Sequence, residues 1–200
     1  MAFGRSDSRP AAATPPPIPV KIVVAGGFGA GKTTFVGAIS EIAPLSTEAA
    51  MTQVAAQVDD VTGRASKTTT TVALDFGRIS LAEDLVLYLF GTPGQDRFFF
   101  MWDELVRGAI GGVVLVDTRR LADCFPACDY FEQRQLPFIV AVNCFNGQAN
   151  HSVEEVREAL DLSPDIPIVQ CDARQRNSVK LVLMEVAEHA LRRAAALIGQ

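Results

Sequence analysis

Eight residues near the start of the chain, Gly26–Thr33, have the spacing of a loop that binds phosphate. Their sequence, GGFGAGKT, fits the P-loop pattern G-x-x-x-x-G-K-[ST] and follows an apolar run at Val20–Ala25. Glycines let consecutive backbone N–H groups face an anion, and the helix that follows adds the positive end of its dipole. Lys32 is expected to reach the outer phosphates, and the Thr33 hydroxyl to bind Mg²⁺. The residues expected to contact phosphate are Gly26, Gly27, Phe28, Gly29, Ala30, Gly31, Lys32, Thr33 and Thr34.

A second glycine-containing loop, Gly91–Gln95, follows an apolar run at Leu85–Phe90. In a mostly parallel sheet the strands end at one ligand crevice, so this loop should face the P-loop. Gly94 can offer its N–H to a terminal phosphate, and Gln95 can orient an attacking water, as such a glutamine does in GTPases. The two loops together predict a nucleotide site in which hydrolysis can occur.

The rest of the chain alternates strand patterns with helical ones. A helix should follow the P-loop to about Ile42, and residues 43–70 form a polar connector with a helical pattern around Glu48–Val58. This order predicts an α/β fold of the three-layer P-loop NTPase type, with about six mostly parallel strands, one antiparallel edge strand and helices on both faces. The further strands are predicted at Val72–Ser80, Leu85–Phe90, Ile110–Val116, Phe138–Val142 and Ile166–Gln170, and the further helices at about 98–107, from Ser152 to Leu160 and from Ser178.

Composition separates a tail from a globular domain. Residues 1–19 are rich in Pro, Ala and Ser and are expected to be disordered, whereas residues 20–200 are expected to form one domain. The net charge of −5 argues against nucleic acid as the main partner. The four cysteines lack the spacing of metal ligands, so they are expected to be reduced structural thiols.

Nothing in the sequence predicts direct insertion into a membrane. The apolar run at Ala109–Val116 is far too short to span a bilayer, and the first ten residues lack the apolar segment of a signal peptide. A cytoplasmic protein is therefore expected.

With these two loops in this order, residues 20–198 resemble the Ras-like small GTPases. The likeness is greatest to their bacterial gliding-polarity branch and, within it, to the conservon GTP-binding proteins of actinobacteria. The resemblance implies a G domain that binds GTP and GDP with Mg²⁺. It also implies that Thr71 is the first-switch threonine, which senses the γ-phosphate and binds the metal together with Thr33. Lys32, Thr71 and Gln95 are then the expected catalytic residues.

Two later segments occupy the places where this family recognises the base. Asn143-Cys144-Phe145-Asn146 lies where the family has N-K-x-D, and Cys171-Asp172-Ala173-Arg174 lies where it supplies a backbone contact. The resemblance implies base contacts from Asn143, Asn146, Asp172, Ala173 and Arg174. Each segment also has an ordinary explanation, because an asparagine can end a strand and an Asp–Arg pair can form a polar turn.

Three positions depart from an active member of the family. Gly91 stands where the second switch usually has an acid that holds Mg²⁺ through water, although the gliding-polarity relatives also tend to lack it; Asp75 or Asp117 could replace that acid. Phe28 replaces a glycine and should hinder a partner's arginine unless its ring swings outward, which favours slow intrinsic hydrolysis, below about one turnover per minute. Asn146 replaces an aspartate.

The segment Phe98–Trp102, FFFMW, puts large apolar groups on every side of a helix, whereas a surface helix carries one such stripe. Some of these residues must enter the core. The remainder predict an exposed partner surface at Phe98, Phe99 and Trp102. The resemblance implies two partners, a small roadblock-type protein and a membrane sensor-kinase-like protein that recruits the chain to the membrane, and a chain that is monomeric or partner-bound.

The sequence thus favours a small GTP-binding switch of a bacterial signalling complex, with slow and partner-stimulated GTP hydrolysis. A first alternative is a degenerate relative that uses the fold as a non-enzymatic interaction module with weak or altered nucleotide binding, as Gly91, Phe28 and Asn146 suggest. A second alternative, a P-loop kinase or ATPase, is disfavoured because no catalytic acid follows a core strand and no arginine-rich lid is present.

Asn146→Asp should tighten GTP binding relative to ATP binding. Guanine presents two N–H donors, which a carboxylate accepts together, whereas an amide offers one acceptor and one donor. The mismatch costs about 1–3 kcal/mol, or roughly tenfold to a hundredfold in affinity. Competitive titration of both nucleotides in the two proteins measures the effect. An unchanged GTP-to-ATP ratio would show that this loop does not recognise the base.

Overall fold

The computed structural model describes residues 15–43, 47–52, 69–94, 96–148 and 150–199, with the backbone alone at 47–52, 69–73, 96, 97 and 146. The strands are β1 (Ile18–Ala25), β2 (Thr47–Thr52), β3 (Thr69–Ala82), β4 (Leu85–Gly91), β5 (Gly111–Val116), β6 (Phe138–Asn143) and β7 (Ile168–Cys171). The α-helices are α1 (Lys32–Ile39), α2 (Trp102–Val106), α3 (Phe125–Gln133), α4 (Val153–Ala159) and α5 (Arg176–Ile198).

The described strands form one sheet in the order β2-β3-β4-β1-β5-β6-β7. Neighbours from β4 through β7 pair in parallel, and β3 pairs antiparallel with β4. This confirms the predicted α/β class, with β3 as the one strand that runs against the others. The outermost strand, β2, pairs antiparallel with β3, where the sequence suggested a helical pattern. The predicted tail falls largely on residues 1–14, outside the described part of the chain.

The sheet has an apolar cluster on each face, and helices cover both clusters. The fold therefore has three layers, with the sheet between two layers of helices. Side chains alternate along β1, so that Ile22 and Val24 face α1 and α5 while Val23 and Ala25 face α3. All six residues of β5 and of β6 are buried, as expected for parallel strands covered on both faces. A Cβ at Gly112 would lie 2.7 Å from the Phe131 ring, so α3 packs closely on the sheet there.

The aromatic segment after the second loop packs mostly inward, which corrects the partner surface expected from the sequence. Phe98 and Trp102 are only 7% and 3% exposed, because the backbone forms a 3₁₀ turn at Asp96–Met101 before α2 begins. Trp102 stacks on Phe99 at 4.5 Å between ring centroids. Phe100 is the exposed member, at 52%. Among the described residues, no helix has the length and apolar content needed to cross a membrane.

Trp102→Ala should therefore destabilise the fold by about 3–5 kcal/mol, because it removes a buried indole from the cluster around α3. Phe100→Ala is the matched control, since it removes an exposed ring from the same segment and should cost less than about 1 kcal/mol. Urea unfolding of the two variants measures both free energies. Equal losses would contradict the packing described for Trp102.

Candidate functional site

The P-loop joins the end of β1 to the start of α1 through backbone conformations that favour glycine. Gly26, Gly29 and Gly31 have φ values of 137°, 78° and 105°. A Cβ at Gly26 would lie 2.2 Å from the carbonyl oxygen of Leu115, so β5 leaves no room for a side chain. Gly31 also caps α1, where its carbonyl accepts a 2.8 Å hydrogen bond from the N–H of Phe35. The loop has the curled backbone that binding a phosphate requires.

Lys32 lies inside this curl with only 8% of its surface exposed. Its Nζ donates to the carbonyl oxygens of Gly26 and Gly27 at 2.7 and 2.8 Å. Burial lowers the pKa of Lys32 from 10.5 to about 8, against the opposing effect of the Asp75 carboxylate. A phosphate group here would meet a cation that has little water around it.

Thr33 and Asp75 place two oxygen ligands together. The Thr33 Oγ1 donates to Oδ2 of Asp75 at 2.9 Å. Asp75 pairs with Gly91 across β3 and β4, and a Cβ at Gly91 would lie 2.8 Å from the Asp75 Cβ. The Asp75 side chain therefore occupies the space of the side chain that position 91 lacks.

This pair fits Mg²⁺, which commonly takes one or two protein ligands together with phosphate oxygens. Among the described residues, no group of three His, Cys, Asp or Glu side chains comes together to hold a metal by itself. The other acid considered from the sequence, Asp117, is occupied instead by Arg119, whose guanidinium donates to both carboxylate oxygens. Of the two acids, Asp75 is the one that lies beside Thr33.

The second loop lies directly against the P-loop. The Thr92 N–H donates to the carbonyl oxygen of Val24 at 2.8 Å. A Cβ at Gly94 would lie 2.8 Å from Nζ of Lys32 and 3.0 Å from the backbone nitrogen of Phe28. Position 94 therefore tolerates no side chain in this arrangement, and the second loop lies in contact with Lys32 and the P-loop backbone.

Two of the expected catalytic residues, Thr71 and Gln95, have side chains outside the described part of the structure. Gln95 lies outside the described residues. Thr71 lies in β3, where its backbone pairs with Ala50 four residues before Asp75, and its side chain is not described. Its strand position is at the same edge of the sheet as the P-loop. The Phe28 ring is 64% exposed, which matches the outward orientation considered above.

Asn143 holds the P-loop to the loop after β7. Its buried amide donates to the carbonyl oxygen of Ala30 at 2.9 Å and accepts from the N–H of Ala173 at 3.1 Å. A Cβ at Gly31 would lie 2.7 Å from the same amide nitrogen. The residue therefore has a bridging role beyond ending a strand, and it aligns three loops at one edge of the sheet.

The other residues expected to recognise the base lie in the loops after β6 and β7. Asp172 accepts hydrogen bonds from Nε and Nη2 of Arg174 at 2.9 and 2.8 Å, which keep the pKa of its carboxyl below the ordinary value. The backbone of Cys144 donates to the carbonyl oxygen of Cys171 at 2.6 Å. Only the backbone of Asn146 is described. These contacts hold the loop after β6 against the loop after β7.

Sequence reasoning missed the segment Thr118–Cys124, which follows β5 and borders the site. A Cβ at Gly27 would lie 2.4 Å from the Cβ of Asp123, so this acid packs on the P-loop. The neighbouring Arg119 stacks on the Phe145 ring at 4.0 Å, beside a polar cavity of about 140 Å³. No motif marks these residues, because they reach the loop only through the fold.

Sequence comparison finds relatives over most of the chain. Residues 24–193 match the family described as "Conserved hypothetical ATP binding protein". An uncharacterized protein of Methanocaldococcus jannaschii is 25% identical over 126 residues, which cover 62% of this chain and 69% of that protein.

Solved structures share the fold at low sequence identity. The G domain of the T. maritima FeoB iron transporter is 16% identical, with a TM-score of 0.56 over 86% of this chain and 99% of that one. The cytosolic domain of the same transporter in its apo form is 15% identical, with a TM-score of 0.59 over 86% of this chain and 64% of that one. These likenesses establish a fold of the P-loop G-domain type.

Nucleotide affinity should weaken as the pH rises above about 8. Above that pH, Lys32 is deprotonated in the empty protein, whereas a bound phosphate keeps the amine protonated. Nucleotide binding must therefore be accompanied by uptake of one proton by Lys32. The dissociation constant should rise by up to about tenfold per pH unit from pH 8 to pH 10. For the same reason, the cost of burying this charge in the empty protein fades as the pH rises from about 8 towards 10.5.

Calorimetric titration in buffers of different ionisation enthalpy should detect proton uptake on binding. Lys32→Arg serves as the control, because a guanidinium keeps its charge over this range and should show no such slope. A wild-type dissociation constant that stays flat from pH 7 to about 9.5 would contradict the role assigned to the buried amine.

Proposed function

Because the chain belongs to the family of conserved hypothetical ATP binding proteins, it is a P-loop nucleotide-binding protein, and we propose that it acts as a small GTP-binding switch that hydrolyses GTP slowly. The observation that carries this proposal is the meeting of Lys32, Thr33 and Asp75 in front of the curled loop. A buried cation and two metal-binding oxygens in one place suit the phosphates of a Mg²⁺–nucleoside triphosphate.

In the proposed complex, Lys32 exchanges its two carbonyl acceptors for phosphate oxygens. Thr33 and Asp75 would hold Mg²⁺, which would supply positive charge to the outer phosphates. Thr71 would bind the metal from β3, and Gln95 would orient the attacking water. Gly94 lies against Lys32 and Phe28, so a terminal phosphate displaces the second loop by contact. That displacement is the conformational signal of the switch.

GTP is proposed as the main ligand, with weakened selectivity. The resemblance to Ras-like proteins favours guanine, whereas the family description names ATP. The side-chain amide of Asn143 is already hydrogen-bonded to Ala30 and Ala173. Base selectivity therefore depends on Asn146 and on the loop at Asp172–Arg174. An amide at position 146 pairs imperfectly with guanine, which supports a preference that is smaller than in a carboxylate-bearing relative.

We place the switch, by resemblance, in the gliding-polarity branch and among the conservon proteins. Its proposed partners are a small roadblock-type protein and a membrane sensor-kinase-like protein that recruits it to the membrane. Phe28 and Phe100 now replace Phe98 and Trp102 as the exposed rings near the two loops. A partner that packs on these rings would touch both the P-loop and the helix after the second loop, and so would sense the nucleotide.

Asp75→Asn tests the proposed metal site. It keeps the side-chain volume but removes the charge, so affinity for GTP in the presence of Mg²⁺ should fall about tenfold or more, while affinity in EDTA should stay within about threefold. Asp129→Asn, an exposed acid on α3, is the matched control and should change neither value. Titration of a fluorescent GTP analogue against Mg²⁺ provides the measurement.

A second variant checks the position of the charge. In the double variant Asp75→Gly, Gly91→Asp, the Cβ that would block position 91 is removed, a carboxylate returns to the same space from the neighbouring strand, and Mg²⁺ dependence should recover in part. If Asp75→Asn leaves the Mg²⁺ dependence intact, another group holds the metal and the proposed coordination is wrong.

A further inference from the structure

The segment that follows β5 presents an arginine to the outer side of the P-loop. Arg120 forms an ion pair with Asp123, with Nη2 and Oδ2 2.7 Å apart, and Asp123 packs on Gly27. Arg120 and Asp123 border a cavity of about 10 Å³ together with Phe28 and Ala30. Only the Asp123 side chain therefore lies between the Arg120 guanidinium and the loop that is proposed to hold the phosphates.

Phosphoryl transfer develops charge on the oxygens of the transferred group, and an arginine commonly stabilises it. In the part of the chain that the structure describes, Lys32 is the one buried cation beside the P-loop. Among the described residues lining the two small cavities against the P-loop, Arg120 is the one cation. Arg120 reaches the P-loop from the segment that precedes α3.

Arg120 is held by fewer contacts than its neighbour Arg119. Arg119 donates to both oxygens of Asp117 and is stacked on Phe145. The Arg120 side chain is about as exposed as that of Arg119, at 57% against 60%, but it pairs with one oxygen of a partly exposed acid. Exposed ion pairs contribute little to stability, so this one can break at small cost when a stronger anion arrives.

We propose that Arg120 is the arginine, supplied by this chain itself, that stabilises the transition state of GTP hydrolysis, and that Asp123 holds it in a resting position. This inference rests on the proposed function. In the step, a water oxygen bonds to the γ-phosphorus while the bond to the β–γ bridging oxygen breaks. The electron pair leaves with GDP, and both protons of the water end on inorganic phosphate, as H₂PO₄⁻. Arg120 leaves Asp123, contacts the γ-phosphate oxygens and transfers no proton.

Single-turnover hydrolysis of bound GTP, with ATP in parallel, tests the role of Arg120. Arg120→Ala should slow hydrolysis at least about 100-fold, and Arg120→Lys should restore only part of the rate. GDP affinity should stay within about twofold of wild type, because GDP lacks the γ-phosphate. Arg192→Ala, which breaks an exposed Arg–Glu pair on α5, is the matched control and should keep the wild-type rate.

Two further readouts separate a catalytic from a structural role. Wild type should bind GDP with aluminium fluoride, a mimic of the transition state, without any partner, and Arg120→Ala should lose this binding. Asp123→Asn should speed hydrolysis several-fold, because it removes the charge that holds Arg120 away.

The outcomes are distinct. Wild-type hydrolysis and aluminium fluoride binding in Arg120→Ala would overturn the role of Arg120 and leave nucleotide binding standing. A wild type that binds GTP but hydrolyses neither GTP nor ATP would also overturn it. A wild type that binds no nucleotide would overturn the proposed function itself.

Discussion

A lysine buried to more than nine-tenths must have its charge compensated nearby, and the arrangement around Lys32 follows from that requirement. Two backbone carbonyls of the P-loop accept its hydrogen bonds, which is possible because Gly26 and the other glycines let the chain curl back over it. The carboxylate of Asp75 supplies the nearby negative charge. These groups compensate the amine imperfectly, so its pKa stays low, and an incoming phosphate is the stronger partner.

The sheet brings further loops to the same edge as the buried lysine. Parallel strands place the ends of β1, β4, β5, β6 and β7 at one edge, where the amide of Asn143 ties the P-loop to the loop after β7. The antiparallel strand β3 brings Asp75 to the same edge from the opposite direction. Because Gly91 lies directly across from it, the Asp75 side chain occupies the space that an acid at position 91 would fill.

The sequence was sufficient wherever a signal is local. Apolar runs located β1, β5 and β6, and the glycine spacing located the P-loop, because both depend on neighbouring residues. It was insufficient wherever partners are distant along the chain. The role of Asp75 depends on the register of β3 against β4, and the burial of Trp102 depends on how a 3₁₀ turn rotates the aromatic segment towards α3. The packing of Asp123 on Gly27 likewise arises only when β5 and β1 lie side by side.

The decisive experiment is to denature the purified protein, identify any released nucleotide, and then titrate GTP, GDP, XTP and ATP with Mg²⁺ against wild type and Lys32→Ala. Wild type should bind guanine nucleotides with micromolar or tighter affinity and the variant should lose this binding, because no other described cation lies within the P-loop curl. Absence of binding to all four nucleotides, or equal binding by both proteins, would show that Lys32 and the P-loop do not form a nucleotide site and would leave the fold as a scaffold for interactions.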